Sequence, residues 1–216
     1  MRIDQVRVNG YDDNFSYFIG DNEGNVAVVD PSDVPLLESI IDQEGLNLKM
    51  ILLTHSHFDH VEGVKALVQK YGVPVFAHIN AKGRLPVADT YCVFVDDNEI
   101  IKIGDLHIKA MYTPGHIDDA LCFYISKENA DDNIPKLLTG DTLFVEGCGR
   151  ADMPESNVKD LFKSLSRIKK LPKETHIYAG HDYGSKPVST LAWEKMHNAY
   201  VHCASFEEFR ALRLPN

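Results

Sequence analysis

The sequence predicts an α/β fold in which β-sheets pack together with helices outside them. Three observations carry this expectation. The chain twice runs from hairpin-like pairs of apolar segments into segments with helical spacing. Short apolar runs rich in branched residues, such as Met50-Ile51-Leu52-Leu53, have the length and composition of buried strands. Several of these runs exit directly into His or Asp, and open α/β sheets place their ligands at the carboxyl ends of strands.

The elements follow in order. Residues 2–8 and 15–19 read as strands, and 26–29 is a third that ends at Asp30-Pro31. Asp21-Asn22-Glu23-Gly24-Asn25 has turn composition and makes a hairpin of the last two. Pro35 opens a helix with Leu36, Leu37, Ile40 and Ile41 on one face, and Gly45 ends it. Val61, Val64, Leu67, Val68 and Tyr71 have helical spacing and are closed by Gly72, after which 75–77 is a strand. Residues 80–97 contain Gly83, Pro86 and a mixed pattern and read as a loop-rich excursion. Residues 100–103 and 106–112 form a hairpin about Gly104-Asp105, and 121–125 and 137–138 are short strands flanking an exposed loop at 126–133. Val158, Leu161, Phe162, Leu165 and Ile168 mark an amphipathic helix. Residues 177–179 are a last strand, and 191–198 and 206–212 are terminal helices.

At 216 residues the chain can bury a sizeable core, and we read residues 1–216 as one domain. Hydrophobic residues at 44% and charged residues at 25% are ordinary for a soluble protein. A net charge of −10 argues against nucleic acid as a partner, because phosphate binding needs a basic surface. No apolar run approaches the roughly 18 residues of a membrane span. The start, Met1-Arg2-Ile3-Asp4-Gln5, has no apolar signal region, and Cys92, Cys122, Cys148 and Cys203 are scattered, so reduced thiols and a cytoplasmic location are expected. Oligomeric state is not legible.

The chemistry is concentrated at Thr54-His55-Ser56-His57-Phe58-Asp59-His60, where four ligand-type side chains fall within six residues. Desolvating so many titratable groups costs free energy unless something binds them. Imidazole with carboxylate suits zinc, iron or manganese rather than calcium or magnesium. Three more positions share the context of a Gly after a short apolar run: Gly115-His116, Gly140-Asp141 and Gly180-His181. Five histidines and two aspartates are too many for one tetrahedral ion. Two ions roughly 3.5–4 Å apart would use them all.

His-x-His-x-Asp-His, followed by Gly-His, Gly-Asp and Gly-His, resembles the metallo-β-lactamase superfamily of hydrolases over nearly the whole chain. The resemblance implies an αββα sandwich of two mixed sheets. It also implies that His55, His57 and His116 hold one divalent metal, that Asp59, His60 and His181 hold the other, and that Asp141 bridges them. Asp30 stands at a family motif that is usually structural. Gly140-Asp141-Thr142-Leu143-Phe144, Gly147-Cys148-Gly149-Arg150, Asp13-Asn14-Phe15 and Gly180-His181-Asp182-Tyr183 are similar to the glyoxalase II pattern. That branch implies hydrolysis of a glutathione thioester of the S-lactoylglutathione type by metal-bound hydroxide, with Asp59 orienting the water or holding the second metal. The two ions would be zinc, iron or manganese.

The chain also departs from that branch. Only 35 residues follow His181, and the part of the glyoxalase II helical region that supplies basic glutathione-binding residues is missing. The compact tail and Gly-Cys-Gly-Arg150-Ala151-Asp152 resemble the persulfide dioxygenases, but their Ile-Arg is Val145-Glu146 here. That alternative implies one Fe(II) held by His55, His116 and Asp141, acting on glutathione persulfide.

Arg150 and Tyr183 are the candidate substrate-binding residues: Arg150 for a carboxylate, from a Gly-rich loop, against a plain surface charge, and Tyr183 through its hydroxyl, against a core residue. His78 lies at a strand end and could approach the site. His107, His176, His197 and His202 read as surface residues, Cys148 as a packed small residue, Trp193 and Phe209 as helix packing, and Asp118-Asp119 as solvated loop.

Overall fold

The computed structural model describes residues 1–9, 12–126 and 134–214. In chain order its elements are β1 Arg2–Arg7, β2 Phe15–Gly20, β3 Asn25–Val29, α1 Val34–Glu44, β4 Asn47–Leu52, α2 Phe58–Val61, α3 Val64–Tyr71, β5 Val75–His78 and β6 Cys92–Val95. The second half contains β7 Ile100–Ile103, β8 Leu106–Tyr112, β9 Leu121–Ile125, β10 Lys136–Gly140, α4 Val158–Ile168, β11 His176–Ala179, β12 Val188–Thr190, α5 Leu191–His197, α6 Ala199–His202 and α7 Phe206–Arg213. One sheet has the order β1-β2-β3-β4-β5-β6 and the other β12-β11-β10-β9-β8-β7. Both are mixed: β1, β2 and β3 pair antiparallel before β3 to β6 run parallel, and β10 with β11 is the one parallel pair of the second sheet.

Side-chain alternation decides the layering. On β2, Phe15, Tyr17 and Ile19 enter a core shared with Ile101, Ile103, Ile108, Leu121, Phe123 and Ile125 of the second sheet. Phe18 points the other way, with Val26 and Val28, into a core closed by Leu37 and Ile41 of α1 and by Val64, Leu67 and Val68 of α3. On the second sheet Met111, Cys122, Leu137 and Ile177 face outward onto Leu161, Leu165 and Ile168 of α4 and Phe209 of α7. Three apolar layers between four structural layers make the expected αββα sandwich.

Local chemistry sets the helix ends. Asp33 accepts from Leu36 N at the start of α1, and Gly45 ends it in the left-handed region. Asn157 accepts from both Lys159 N and Asp160 N to start α4. The terminal helices brace the turn after Asp141. Fully buried Glu194 accepts from Glu146 N at 2.8 Å, and Asn198 Nδ2 donates to Gly147 O at 2.9 Å and to Glu194 at 2.9 Å.

The excursion at 80–97 contains a strand, β6, which pairs parallel to β5, and two short 3₁₀ turns at Ile79–Ala81 and Asp89–Tyr91. β12 and the single turn α6 add to the elements the sequence pattern predicts. The exposed loop expected at 126–133 lies, apart from Ser126, outside the described residues. No helix is long and apolar enough to cross a membrane among the described residues.

Candidate active site

All seven ligand-type residues converge at one edge of the sandwich, where β4, β8, β10 and β11 end. His55 and His57 lie on the loop leaving β4, and Asp59 and His60 ride on the single turn of α2. His116, Asp141 and His181 follow β8, β10 and β11. Two glycines show why that context matters. A Cβ on Gly115, at φ +142°, would run into the Leu161 backbone of α4. A Cβ on Gly180 would stand 2.6 Å from Asp141 Oδ1 and 3.0 Å from His60 Cε1, so there the glycine provides room rather than a turn.

The donor atoms form two contiguous groups. His57 Nδ1 lies 3.0 Å from His55 Nε2 and 2.9 Å from His116 Nε2. His60 Nε2 lies 3.3 Å from both His181 Nε2 and Asp59 Oδ2, and His181 Nε2 is 3.4 Å from Asp59 Oδ2. Tetrahedral ligands bound at about 2.0–2.1 Å are separated by ~3.3 Å, so this spacing fits metal coordination. His55, His60 and Asp141 form a further triplet that joins the two groups.

The outer nitrogens orient these rings, and each has an acceptor. His60 Nδ1 faces Asp30 Oδ2 at 2.9 Å, His116 Nδ1 faces the Arg150 carbonyl at 3.1 Å, and His181 Nδ1 faces the Asp12 carbonyl at 2.7 Å. His57 Nε2 lies 3.3 Å from Glu155 Oε1. His55 Nδ1 lies 3.0 Å from Thr54 Oγ1, whose own proton is given to Asp30 Oδ2 at 2.6 Å, so the hydroxyl oxygen is left to accept. Protons on all five outer nitrogens leave all five inner nitrogens with lone pairs aimed at the cluster, as metal-binding histidines require.

Asp141 Oδ1 is buried without a hydrogen-bond donor. Such an atom is costly unless a cation meets it. Burial pushes the His55 and His116 imidazoles down, toward the neutral form a ligand needs. At His60 and His181 burial works in the same direction, but the Asp141 carboxylate outweighs it and holds both up, with Asp30 assisting at His60. Asp141 is held low in return, against its own burial. The cluster is electrostatically prepared for positive charge, and its residues fit divalent metal.

Arg150 sends its guanidinium to the surface, where it pairs with Asp152 at 2.9 and 3.0 Å. Tyr183 is 48% exposed rather than core, stacks on His181 with ring centroids 4.7 Å apart, and donates its hydroxyl to Asp12. His78 stacks on Tyr112 at 4.0 Å and lies outside the three ligand groups. Phe209 is buried, but Trp193 is only partly buried, under Lys186 and against His197. Cys148 is buried, with its thiol pushed up to about 12, as a packed residue would be. The reading of Asp118-Asp119 as solvated loop fails for Asp119, which is 1% exposed and accepts from Ser56 N at 3.3 Å. Arg84, folded over from the excursion, pairs with Asp118 beside it.

The metallo-β-lactamase superfamily model matches residues 10–181. The chain belongs to this superfamily. It is 38% identical to the hydroxyacylglutathione hydrolase of Pelagibacter ubique over 79% of this chain and 67% of that one. It spans about two thirds of the length of the first hydroxyacylglutathione hydrolases it matches. Among solved structures, ETHE1 from Myxococcus xanthus superimposes with a TM-score of 0.82 at 30% identity, covering 100% of this chain and 93% of that one. TTHA1623, solved in a di-iron-bound form, superimposes with a TM-score of 0.73 at 28% identity over 90% and 98%. The resemblance to glyoxalase II is borne out by these relatives, and the ETHE1 likeness fits the second resemblance, to persulfide dioxygenases.

Proposed function

We propose that the chain is a metallo-hydrolase that cleaves a glutathione thioester of the S-lactoylglutathione type. Two divalent ions, zinc, iron or manganese, would be held by His55, His57 and His116 and by Asp59, His60 and His181, with Asp141 between them. One observation carries the two-ion reading: the two oxygens of Asp141 are divided. Oδ1 lies 3.3 Å from His181 Nε2 and 3.4 Å from His60 Nε2, whereas Oδ2 lies 3.5 Å from His116 Nε2. One carboxylate thus faces both groups, as a bridging ligand must.

Such ions supply a water nucleophile near neutral pH, lowering its pKa from about 16 to roughly 7, and polarise the thioester carbonyl. The protein's contribution is orientation. Asp59 Oδ2 accepts from Asn14 Nδ2 at 2.9 Å, which fixes the carboxylate that orients the water. Tyr183, at the rim and flat against His181, offers its hydroxyl to the substrate by giving up Asp12. Arg150 binds a glutathione carboxylate by exchanging it for Asp152. No protein nucleophile is used, which accords with the raised thiol of Cys148. Four free cysteines and a reaction that releases a thiol suit a reducing, cytoplasmic setting.

A second reading has one Fe(II) on His55, His116 and Asp141 and oxygen-dependent turnover of glutathione persulfide. The likeness to ETHE1 over nearly its full length favours it. The two are separated under nitrogen. Anaerobic release of glutathione from S-lactoylglutathione with two ions per chain supports the hydrolase. Oxygen uptake with a persulfide, one iron per chain and no thioester cleavage would replace it.

A further inference from the structure

We propose that Glu155 is the positioning residue for His57 and sets how tightly the His55–His57–His116 half of the cluster holds its ion; this rests on the two-ion reading. Four of the five cluster histidines are fixed from behind by the fold itself: His55 by a threonine hydroxyl, His60 by a buried carboxylate, His116 and His181 by main-chain carbonyls. His57 differs. Its Nδ1 faces the cluster, so its proton must sit on Nε2, and what Nε2 meets is Glu155 Oε1 at 3.3 Å. The imidazole is 21% exposed and the carboxylate 39%, so water competes for this contact as it does for none of the others.

A carboxylate beside a surface histidine is by itself common. Two further facts single out this pair. The backbone bearing Glu155 is fastened to the exit of β8: Ser156 Oγ donates to His116 O at 2.6 Å and Asn157 N to Gly115 O at 2.7 Å. Glu155 therefore stands in a fixed relation to His116, another histidine of the same half. The neighbouring cation is also taken, because Arg84 pairs with Asp118, and among the described residues Glu155 makes no ion pair with a lysine or arginine. A carboxylate held this way fixes the His57 tautomer and raises its basicity toward a metal. The two halves are then built differently: the His60–His181 half is preorganised from the interior, and the His57 half depends on a surface side chain.

The test uses the full chain, stripped of metal and titrated with Zn²⁺ against a chromophoric chelator. The wild type should take two ions. In Glu155→Ala one of the two affinities should fall about 10- to 100-fold while the other stays. The melting point of the metal-free protein should not move, since the residue is at the surface. Glu155→Gln keeps an oxygen that accepts from Nε2–H and should fall between wild type and Ala. In a His181→Ala background, which weakens the other half, Glu155→Ala should still lower the affinity of the remaining ion. Wild-type affinities in Glu155→Ala, equal weakening of both ions, or a Gln variant no better than Ala would overturn the assignment. A wild-type stoichiometry of one would instead refute the two-ion reading, and Glu155 would then stand or fall on whether that single affinity drops in Glu155→Ala.

Discussion

Asp30 holds His60 through a buried contact of 2.9 Å between its Oδ2 and His60 Nδ1, and the same carboxylate receives Thr54 N at 2.7 Å and Thr54 Oγ1 at 2.6 Å. One side chain at the end of β3 thus orients His60 directly and His55 through the threonine hydroxyl. It stands at φ +49°, a conformation Asn also tolerates. Asp30→Asn should therefore fold, yet its amide cannot accept from all three donors. Metal affinity should fall about 10- to 100-fold, the usual cost of losing such a partner. Metal content after dialysis against a weak chelator measures this, and full retention would show that Asp30 is only a packing residue.

Direct ligands should behave more severely. His55→Ala and Asp141→Ala each remove a donor facing the cluster, so both should abolish turnover and lower bound metal. His107→Ala, on the exposed face of β8, should change neither. Similar metal content in all three proteins would mean that the ligands are wrongly assigned.

How far the sequence discloses this site depends on the range of the interaction. His55 to His60 are legible because the ligands are adjacent in sequence, and His116, Asp141 and His181 because each repeats a glycine at a strand exit. The roles of Asn14, Asp30 and Glu155 are not local: Asn14 reaches Asp59 and Glu155 reaches His57 only through the folded sheets. The burial of Asp119 is hidden for the same reason, since the composition of its own loop says nothing of Arg84 closing over it from another segment. β6 is hidden by its setting, at the end of a stretch whose Gly83 and Pro86 signal loop, and β12 by its composition, since Val188-Ser189-Thr190 offers a single apolar residue; each acquires its identity from a neighbour, β5 or β11.

Thiol chemistry should divide the cysteines into two pairs. Burial pushes Cys122 up to about 11 and Cys148 up to about 12, whereas Cys92 and Cys203 are only partly buried. Only the thiolate reacts readily. At pH 8 iodoacetamide should label Cys92 and Cys203 slowly and leave the buried pair intact until denaturant is added. Rapid labelling of Cys148 in the folded protein, read by peptide mass spectrometry, would reopen it as a nucleophile.

Arg167 of α4 ties the helix to the β6–β7 connection by donating to Asp97 Oδ1 at 2.7 Å, and to the end of β8 by donating to Tyr112 O at 3.0 Å. Partial burial acts to raise the Asp97 carboxyl, but the Arg167 guanidinium and the Tyr112 N–H, which donates to it at 2.9 Å, together outweigh this and hold the group below its ordinary value. A depressed carboxyl contributes stability that is present above the unfolded-state value of about 3.9 and is lost as pH falls through the folded one. Because both groups are about one-third exposed, the contribution is on the order of 0.5–1 kcal/mol. Arg167→Ala should therefore lower the urea midpoint at pH 7 and lose most of that effect near pH 3. A pH-independent loss would mean that the helix contact acts through packing alone.

Gly180→Ala tests whether the bridging carboxylate has room to spare. The added methyl would come 2.6 Å from Asp141 Oδ1 and 3.0 Å from His60 Cε1, and neither neighbour is a flexible chain end on the surface. Relief requires Asp141 to rotate away from the His60–His181 side or the strand exit to shift, at a cost of about 1–3 kcal/mol. Gly147→Ala is the matched control, because its methyl would meet Phe144 Cβ at an ordinary 3.6 Å. The first substitution should lose metal and lower the melting point, and the second should do neither. If Gly180→Ala bound two ions with wild-type affinity, the Asp141 carboxylate would have to bridge from a position other than the one facing both histidine groups.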